Sequence, residues 1–288
     1  MPSTEHLGER VDEGRTGTAG GLATLGPRAL ALRDTLDAVF SGWGVAAGAD
    51  RMAFPPLLAT ADLARFDYWT NFPHLGLVAT GALPDRVAQL SAGPHEQIAA
   101  DLLAPAAYAL PSATCYAAYL HLAGARLDGP ARITAVGTCF RREEHYDGLR
   151  RLLAFSMREI VCVGDRETVL DHIAAFKQRL RGFAERLDLP LAVQTATDPF
   201  FQKDAARTLM QQLFPVKEEF VYGDGLAIAS VNFHRNFFGE RCDIRLPDGG
   251  PAFTSCVAFG LERWLAALRD RFGELPDLPE RVRAAAEG

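Results

Sequence analysis

Two β-type runs, "ARITAVGTCFRRE" (131–143) and "LRRLLAFSMREIVCVG" (149–164), are separated only by the polar stretch "EHYDG". A link that short can join only antiparallel neighbours, because parallel strands need a crossover of about a dozen residues or more. The pair therefore reads as a hairpin. It commits the chain to an antiparallel core, around which everything else must pack.

The remaining periodicities surround that hairpin. Residues 28–40 carry apolar positions three and four apart and read as a helix. So does "DRETVLDHIAAFKQRLRGFAERLDL", with Asp165 as its N-cap. "HEQIAADLLAPAAYAL" reads as a helix running into a strand start before Pro111. "KEEFVYG", "LAIASVNFH" and "RCDIRLP" read as strands, and "PAFTSCVAFGLERWLAALRDRF" turns from strand to helix at about Ala258. Helices separated by runs of strands, without strict alternation, indicate an α+β fold: a mainly antiparallel sheet flanked by helices.

With 288 residues, 48% of them hydrophobic, the chain can bury one large core. Residues 1–27 read as a flexible N-terminal leader, lacking the basic start and apolar centre of a signal peptide. Residues 28–275 read as the folded domain, and 276–288 as a C-terminal tail. No run of 18 apolar residues occurs, so no membrane span is expected and a cytoplasmic location is. A net charge of −6 argues against broad nucleic-acid binding, which needs a basic face. Five cysteines without a CxxC pair do not suit a disulfide framework. Reduced core thiols and a dispersed metal site both remain open for them.

The chemistry concentrates in two places: "FRRE" on the first hairpin strand and "FGLER" at the late strand-to-helix junction. Either alone suits an ordinary solvated face. Together, in this order and context, they resemble motifs 2 and 3 of the class II aminoacyl-tRNA synthetases, and 28–275 then reads as a catalytic domain of that class. The resemblance implies that Arg141 holds the α-phosphate of ATP and Arg263 the γ-phosphate. It further implies that Arg151 is a second phosphate-facing arginine, that Glu143 reads the adenine amino group, and that Phe155 stacks on adenine. Without the resemblance, Phe155 suits a core aromatic as well. Adenylate formation needs such cations as pyrophosphate leaves.

"KEEFVYGDGLAIASVNFHRNFFGERCDIR" resembles the stretch before motif 3 in seryl-tRNA synthetase, and the likeness runs from about residue 28 to 272. Two departures matter. The long N-terminal arm that grips tRNA has no counterpart, and the Thr-x-Glu loop for serine is replaced by "PSATCY". Both point to the amino acid:[carrier protein] ligases, which resemble truncated, zinc-dependent seryl-tRNA synthetases. That resemblance implies Zn2+ on Cys115, Glu159 and Cys256, Mg2+ with ATP, and a pocket for a small amino acid, glycine or alanine, lined by Glu219 and Asn232. It also implies transfer to the phosphopantetheine thiol of a holo carrier protein, and a homodimer through motif 1 near 44–58. Residues 200–214, with Lys203 and Arg207, are the candidate carrier-docking helix; a solvated helix face suits them equally. An arm-less seryl-type synthetase and a non-catalytic regulatory paralogue are the alternatives. The missing arm and the acidic balance argue against tRNA as a partner, and the retained motif arginines argue against the paralogue.

Overall fold

The computed structural model describes residues 16–197, 201, 216–273 and 275–287. In chain order, a hairpin of β1 (Gly17–Ala19) and β2 (Leu22–Thr24) precedes helix α1 (Pro27–Ala46) and strand β3 (Asp50–Arg51). Next come β4 (Leu58–Ala59), α2 (Thr60–Arg65), α3 (Tyr68–Asn71), β5 (Leu77–Ala79), α4 (Val87–Leu90), β6 (Tyr108–Leu110) and α5 (Cys115–His121). The central hairpin is β7 (Ala131–Phe140) and β8 (Ala154–Gly164), followed by α6 (Arg166–Arg186) and β9 (Leu191–Ala196). The chain continues through β10 (Lys217–Tyr222), β11 (Leu226–Arg235), α7 (Phe237–Arg241), β12 (Phe253–Gly260), α8 (Leu261–Phe272) and α9 (Leu278–Glu287).

Seven strands form one sheet in the order β3-β7-β8-β12-β11-β10-β9. Every pairing is antiparallel except β3 with β7. The sheet is therefore the mainly antiparallel one that the short hairpin link demanded. β8 lies near its middle and is buried from Met157 to Gly164. Burial on both faces accounts for its almost unbroken apolar run.

Each face carries its own core. On one, α1 presents Leu32, Leu36, Phe40 and Trp43 and α6 presents Phe176, Leu180 and Phe183 to Ile160, Val257 and Phe259, with Trp264 of α8 between them. α1 begins at Pro27, where a missing N–H costs nothing. α6 is capped by the Asp165 side chain, which accepts from Thr168 N at 2.7 Å. Asp37 of α1 also takes both arms of the Arg158 guanidinium at 2.8 Å, tying the helix to β8. On the other face, Cys115, Ala118 and Tyr119 of α5 and Phe238 of α7 cover Ile133, Val161, Val163 and Cys256. A small sheet, β4-β6-β5, flanks this second core.

Several expectations are corrected. The leader expected over 1–27 gives way, in its described part, to the β1–β2 hairpin, whose Gly21 carbonyl accepts from Leu153 N at 2.8 Å. Gly21 sits at φ +79°, and a Cβ there would meet the Tyr146 ring at 2.7 Å, so only glycine fits against the loop after β7. The tail expected over 276–288 contains α9, whose Leu278, Val282 and Ala285 enter the first core at helical spacing. No helix forms over 95–104, only a 3-10 turn at Ala100–Leu102. Pro94 and Pro105 bracket that stretch, and Leu102 is buried while Ile98 stays exposed, so too little apolar surface is buried at helical spacing to stabilise a helix. "RCDIRLP" is a helix end and an isolated bridge at Arg245, not a strand. The late strand runs to Gly260, two residues beyond the expected junction. The docking candidate 200–214, including Lys203 and Arg207, lies outside the described residues except for Phe201.

Candidate active site

Directly paired residues on an antiparallel ladder place their side chains on the same face. The register lines up Glu219, Ser230, Ala258 and Glu159 in one row across β10, β11, β12 and β8. Lys217, Asn232, Cys256 and Val161 form the next row. Glu159 and Cys256 are thereby diagonal neighbours on adjacent strands. The loop 111–114 brings Cys115, the first residue of α5, over them.

The three come together as a buried group whose candidate ligand atoms, two thiols and one carboxylate oxygen, all lie within 4.8 Å of one another. Glu159 is 2% exposed. Its Oε1 accepts from the Thr114 and Cys115 amides at 2.8 and 3.2 Å, at the start of α5. Its Oε2 is buried with no hydrogen-bond partner. A buried carboxylate oxygen left without a partner is costly unless a cation meets it. The thiols fit the same account. The Cys115 thiol is pushed well up by its contact with Cys256, then by burial and by the Glu159 carboxylate. Contact with Cys115 pulls the Cys256 thiol down, but burial and Glu159 carry it up to about 11. Two thiols and a carboxylate at this separation are a suitable donor set for a divalent metal, which would take the thiols as thiolates. Cys139, Cys162 and Cys242 are buried elsewhere, and burial raises each of them, to about 12, about 11 and about 11.

A second cluster lies further along the same face. Arg141, Glu143, Phe155, Glu262 and Arg263 line one cleft with Gly260 at its base. Arg141 is held by the Ser112 carbonyl, to which Nε and Nη2 donate at 3.2 and 3.1 Å, and its Cζ lies 5.1 Å from the Phe155 ring centre. Arg263 donates to the carbonyls of Arg150 and Ala227 at 2.9 and 3.0 Å. Both guanidiniums are thus aimed by backbone oxygens rather than neutralised by carboxylates. Burial, and then the neighbouring Arg141 charge, lowers Arg263 to about 10. Cations held this close in a half-buried cleft are a preorganised receptor for a polyanion. Glu143 pairs with Arg151 at 2.8 Å.

The ten residues expected at the ATP, amino-acid and metal sites can now be placed. Cys115, Glu159 and Cys256 form the first cluster, and Arg141, Glu143, Phe155 and Arg263 line the second. Arg151 joins the cleft through Glu143. Asn232 reaches the first cluster, its Nδ2 donating to Cys256 Sγ at 3.4 Å. Glu219 is paired with Lys217 at 3.0 Å on the same face, within electrostatic reach of Arg263. Sequence reasoning missed Glu262, whose buried carboxylate accepts from Ser156 N at 2.8 Å and fastens the motif junction to β8. It also missed His234 and Tyr119. Glu262 was visible in "FGLER"; the other two carry no local signal, because only the placement of β11 and α5 brings His234 to Cys256 and Tyr119 to His234.

No family model matches the chain. It is 34% identical over 257 residues to amino acid--[acyl-carrier-protein] ligase 1 of Bradyrhizobium diazoefficiens, covering 82% of this chain and 76% of that protein. Ligase 2 of the same organism is 32% identical over 247 residues, covering 77% and 70%. The type-2 serine--tRNA ligase of Methanococcus aeolicus is 26% identical over 166 residues, 47% of this chain and 31% of that one. Among solved structures, the M. kandleri SerRS crystallised with A. aeolicus tRNASec superposes with a TM-score of 0.80 at 20% identity. That match covers 96% of this chain, which spans 59% of the synthetase chain. The fold is therefore that of a class II synthetase catalytic domain.

Proposed function

The chain belongs to the amino acid--[acyl-carrier-protein] ligase family, and on that premise we propose that it activates glycine or alanine with Mg-ATP and passes it to the phosphopantetheine thiol of a holo carrier protein. The observation that carries this reading is the placement of the thiol-carboxylate cluster and the arginine cleft on one face of one sheet. An amino acid held at the first can reach ATP held at the second.

In the first step the amino acid's carboxylate attacks the α-phosphorus of ATP, forming aminoacyl-AMP and releasing pyrophosphate. Arg141 meets the α-phosphate and Arg263 the γ-phosphate, both kept in place by backbone carbonyls before substrate arrives. Mg2+ enters with ATP. Phe155 offers its ring to adenine, and the Glu143–Arg151 pair sets the cleft's outer edge, with Glu143 the acceptor for the adenine amino group. Cys115, Glu159 and Cys256 would hold Zn2+, which when bound supplies a position for the substrate's α-amino group. Glu219 and Asn232 line the space around that amino acid. In the second step the carrier's thiol attacks the adenylate carbonyl and AMP leaves with the bonding pair. Rate acceleration comes from positioning and charge stabilisation, so no enzyme nucleophile is required. The reading includes a homodimer through 44–58 and a cytoplasmic location; among the described residues no helix is long and apolar enough to cross a membrane.

The test is amino-acid-dependent ATP–pyrophosphate exchange on zinc-loaded protein. Exchange with glycine or alanine and not with serine supports the ligase reading. The likeness to a type-2 serine--tRNA ligase over 47% of this chain favours one second reading, a seryl-type enzyme, and exchange with serine alone would support that instead. No exchange with any of the three would leave the paralogue.

A further inference from the structure

His234 does not take part in the reading above, yet the sheet is distorted to deliver it. Along β11, Asn232 faces Cys256 and Phe233 faces Ser255, but Thr254 faces Arg235, so His234 is the extra residue of a bulge. Arg235 completes the bulge at φ +54°, an uncommon conformation for a non-glycine residue. Bulges re-aim side chains, and they are over-represented beside active sites. Here the bulge directs the imidazole Nε2 to within 3.9 Å of Cys256 Sγ. The ring is fixed from behind. Its Nδ1 lies 3.2 Å from Tyr119 Oη, and its edge packs on Phe238, which in turn stacks on Tyr119. His234 is not itself in the ligand group, whose close atoms come from Cys115, Glu159 and Cys256 alone among the described residues.

We propose that His234, oriented by Tyr119, is a positioning residue that donates its Nε2–H to the Cys256 sulfur and so sets the geometry and donor strength of that metal ligand. The inference rests on the reading of the thiol-carboxylate cluster as a metal site. Its chemical logic is the choice of tautomer. The Tyr119 hydroxyl has one proton, and its acceptors include His234 Nδ1 at 3.2 Å and the Ser255 carbonyl at 3.3 Å. Donation to Nδ1 leaves the proton on Nε2, pointing at the sulfur. Donation to Ser255 would leave a bare Nε2 lone pair facing a thiolate, which is repulsive. A metal-bound Cys256 therefore selects the first arrangement. With Asn232 Nδ2 at 3.4 Å, the sulfur then has two outer donors, as Glu159 has two backbone amides. Outer partners of this kind orient ligands, and losing one costs roughly 10- to 100-fold in metal affinity.

The test uses the full chain and Co2+ as a spectroscopic probe, with affinity read by chelator competition. H234F keeps the ring against Phe238 but loses the N–H; H234Q restores a donor; C115A removes a ligand. The expected result is a thiolate-to-cobalt charge-transfer band in the wild type. H234F should bind roughly 10- to 100-fold more weakly, with that band shifted, and H234Q should recover most of the loss. Wild-type affinity and an unshifted band in H234F would overturn the inference while leaving the metal site standing. Should H234F fail to fold, Y119F is the second variant: it removes the hydroxyl that fixes the ring through Nδ1 and leaves the imidazole in place, so weaker Co2+ binding and a shifted band are expected, and wild-type values would overturn the inference. A wild type that binds no more Co2+ than C115A would overturn the metal reading, and this inference with it.

Discussion

Replacing Arg263 with Gln separates the charge of this side chain from its hydrogen bonding. Gln can still donate toward the carbonyls of Arg150 and Ala227, which Arg263 now satisfies at 2.9 and 3.0 Å. What disappears is a cation whose pKa burial and the nearby Arg141 hold down at about 10, against an ordinary 12.5. A displacement of that size corresponds to at most about 3 kcal/mol working against the charged form in the free protein. The folded state should therefore tolerate the substitution, and the unfolding midpoint without nucleotide should hold or rise. Catalysis should not tolerate it. Loss of one charged donor aimed at developing phosphate charge costs about 3–4 kcal/mol, a fall in exchange of roughly 10² to 10³. Pyrophosphate should raise the unfolding temperature of the wild type and leave that of R263Q almost unchanged. Exchange by R263Q within about an order of magnitude of wild type would refute the reasoning, because Arg263 would then not face the transferring phosphates.

Other predictions concern the thiol-carboxylate cluster and the scaffold behind it. Cys115→Ala should abolish zinc binding, measured by metal analysis, and amino-acid-dependent exchange together; exchange that survives without metal would remove the metal from the account. Asp37→Ala leaves the 4%-exposed Arg158 without its carboxylate and should cost about 3–5 kcal/mol in denaturant unfolding, most of it regained when Arg158→Met is added. His172 is buried beside the Ile160 carbonyl, and burial lowers it to about 4. Its folded pKa is below the unfolded 6.5, so the unfolded state binds more protons between those values. Stability should fall by about 3 kcal/mol as pH drops from 6.5 to 4, a slope that His172→Phe should flatten in pH-dependent unfolding curves.

What could be read in the sequence was whatever rests on local period or fixed motif context. The hairpin link between β7 and β8 dictated an antiparallel sheet, and "FRRE" and "FGLER" located Arg141 and Arg263. The lost helix at 95–104 shows the limit of periodicity. Its alanines and leucines have helical propensity, but Leu102 is buried while Ile98 stays exposed, and the flanking prolines leave little length to compensate. The C-terminal segment failed in the opposite direction: ten residues with little intrinsic helix stability are held by Leu278, Val282 and Ala285 entering a core built from distant elements. The grouping of Cys115, Glu159 and Cys256 was expected only through the resemblance, since no spacing rule joins positions 115, 159 and 256. His234 and Tyr119 are less accessible still. His234 reaches Cys256 from the bulged end of β11 and Tyr119 reaches His234 from α5, and a sequence displays neither placement.

Transfer to a carrier thiol is read directly by intact-protein mass spectrometry. The enzyme, ATP, Mg2+ and glycine or alanine would be incubated with holo carrier protein, with its apo form, and separately with tRNA. A mass gain of one aminoacyl group is expected on the holo carrier, reversed by hydroxylamine as a thioester should be, with neither the apo carrier nor tRNA charged. Charged tRNA beside an unmodified holo carrier would contradict transfer to the carrier thiol.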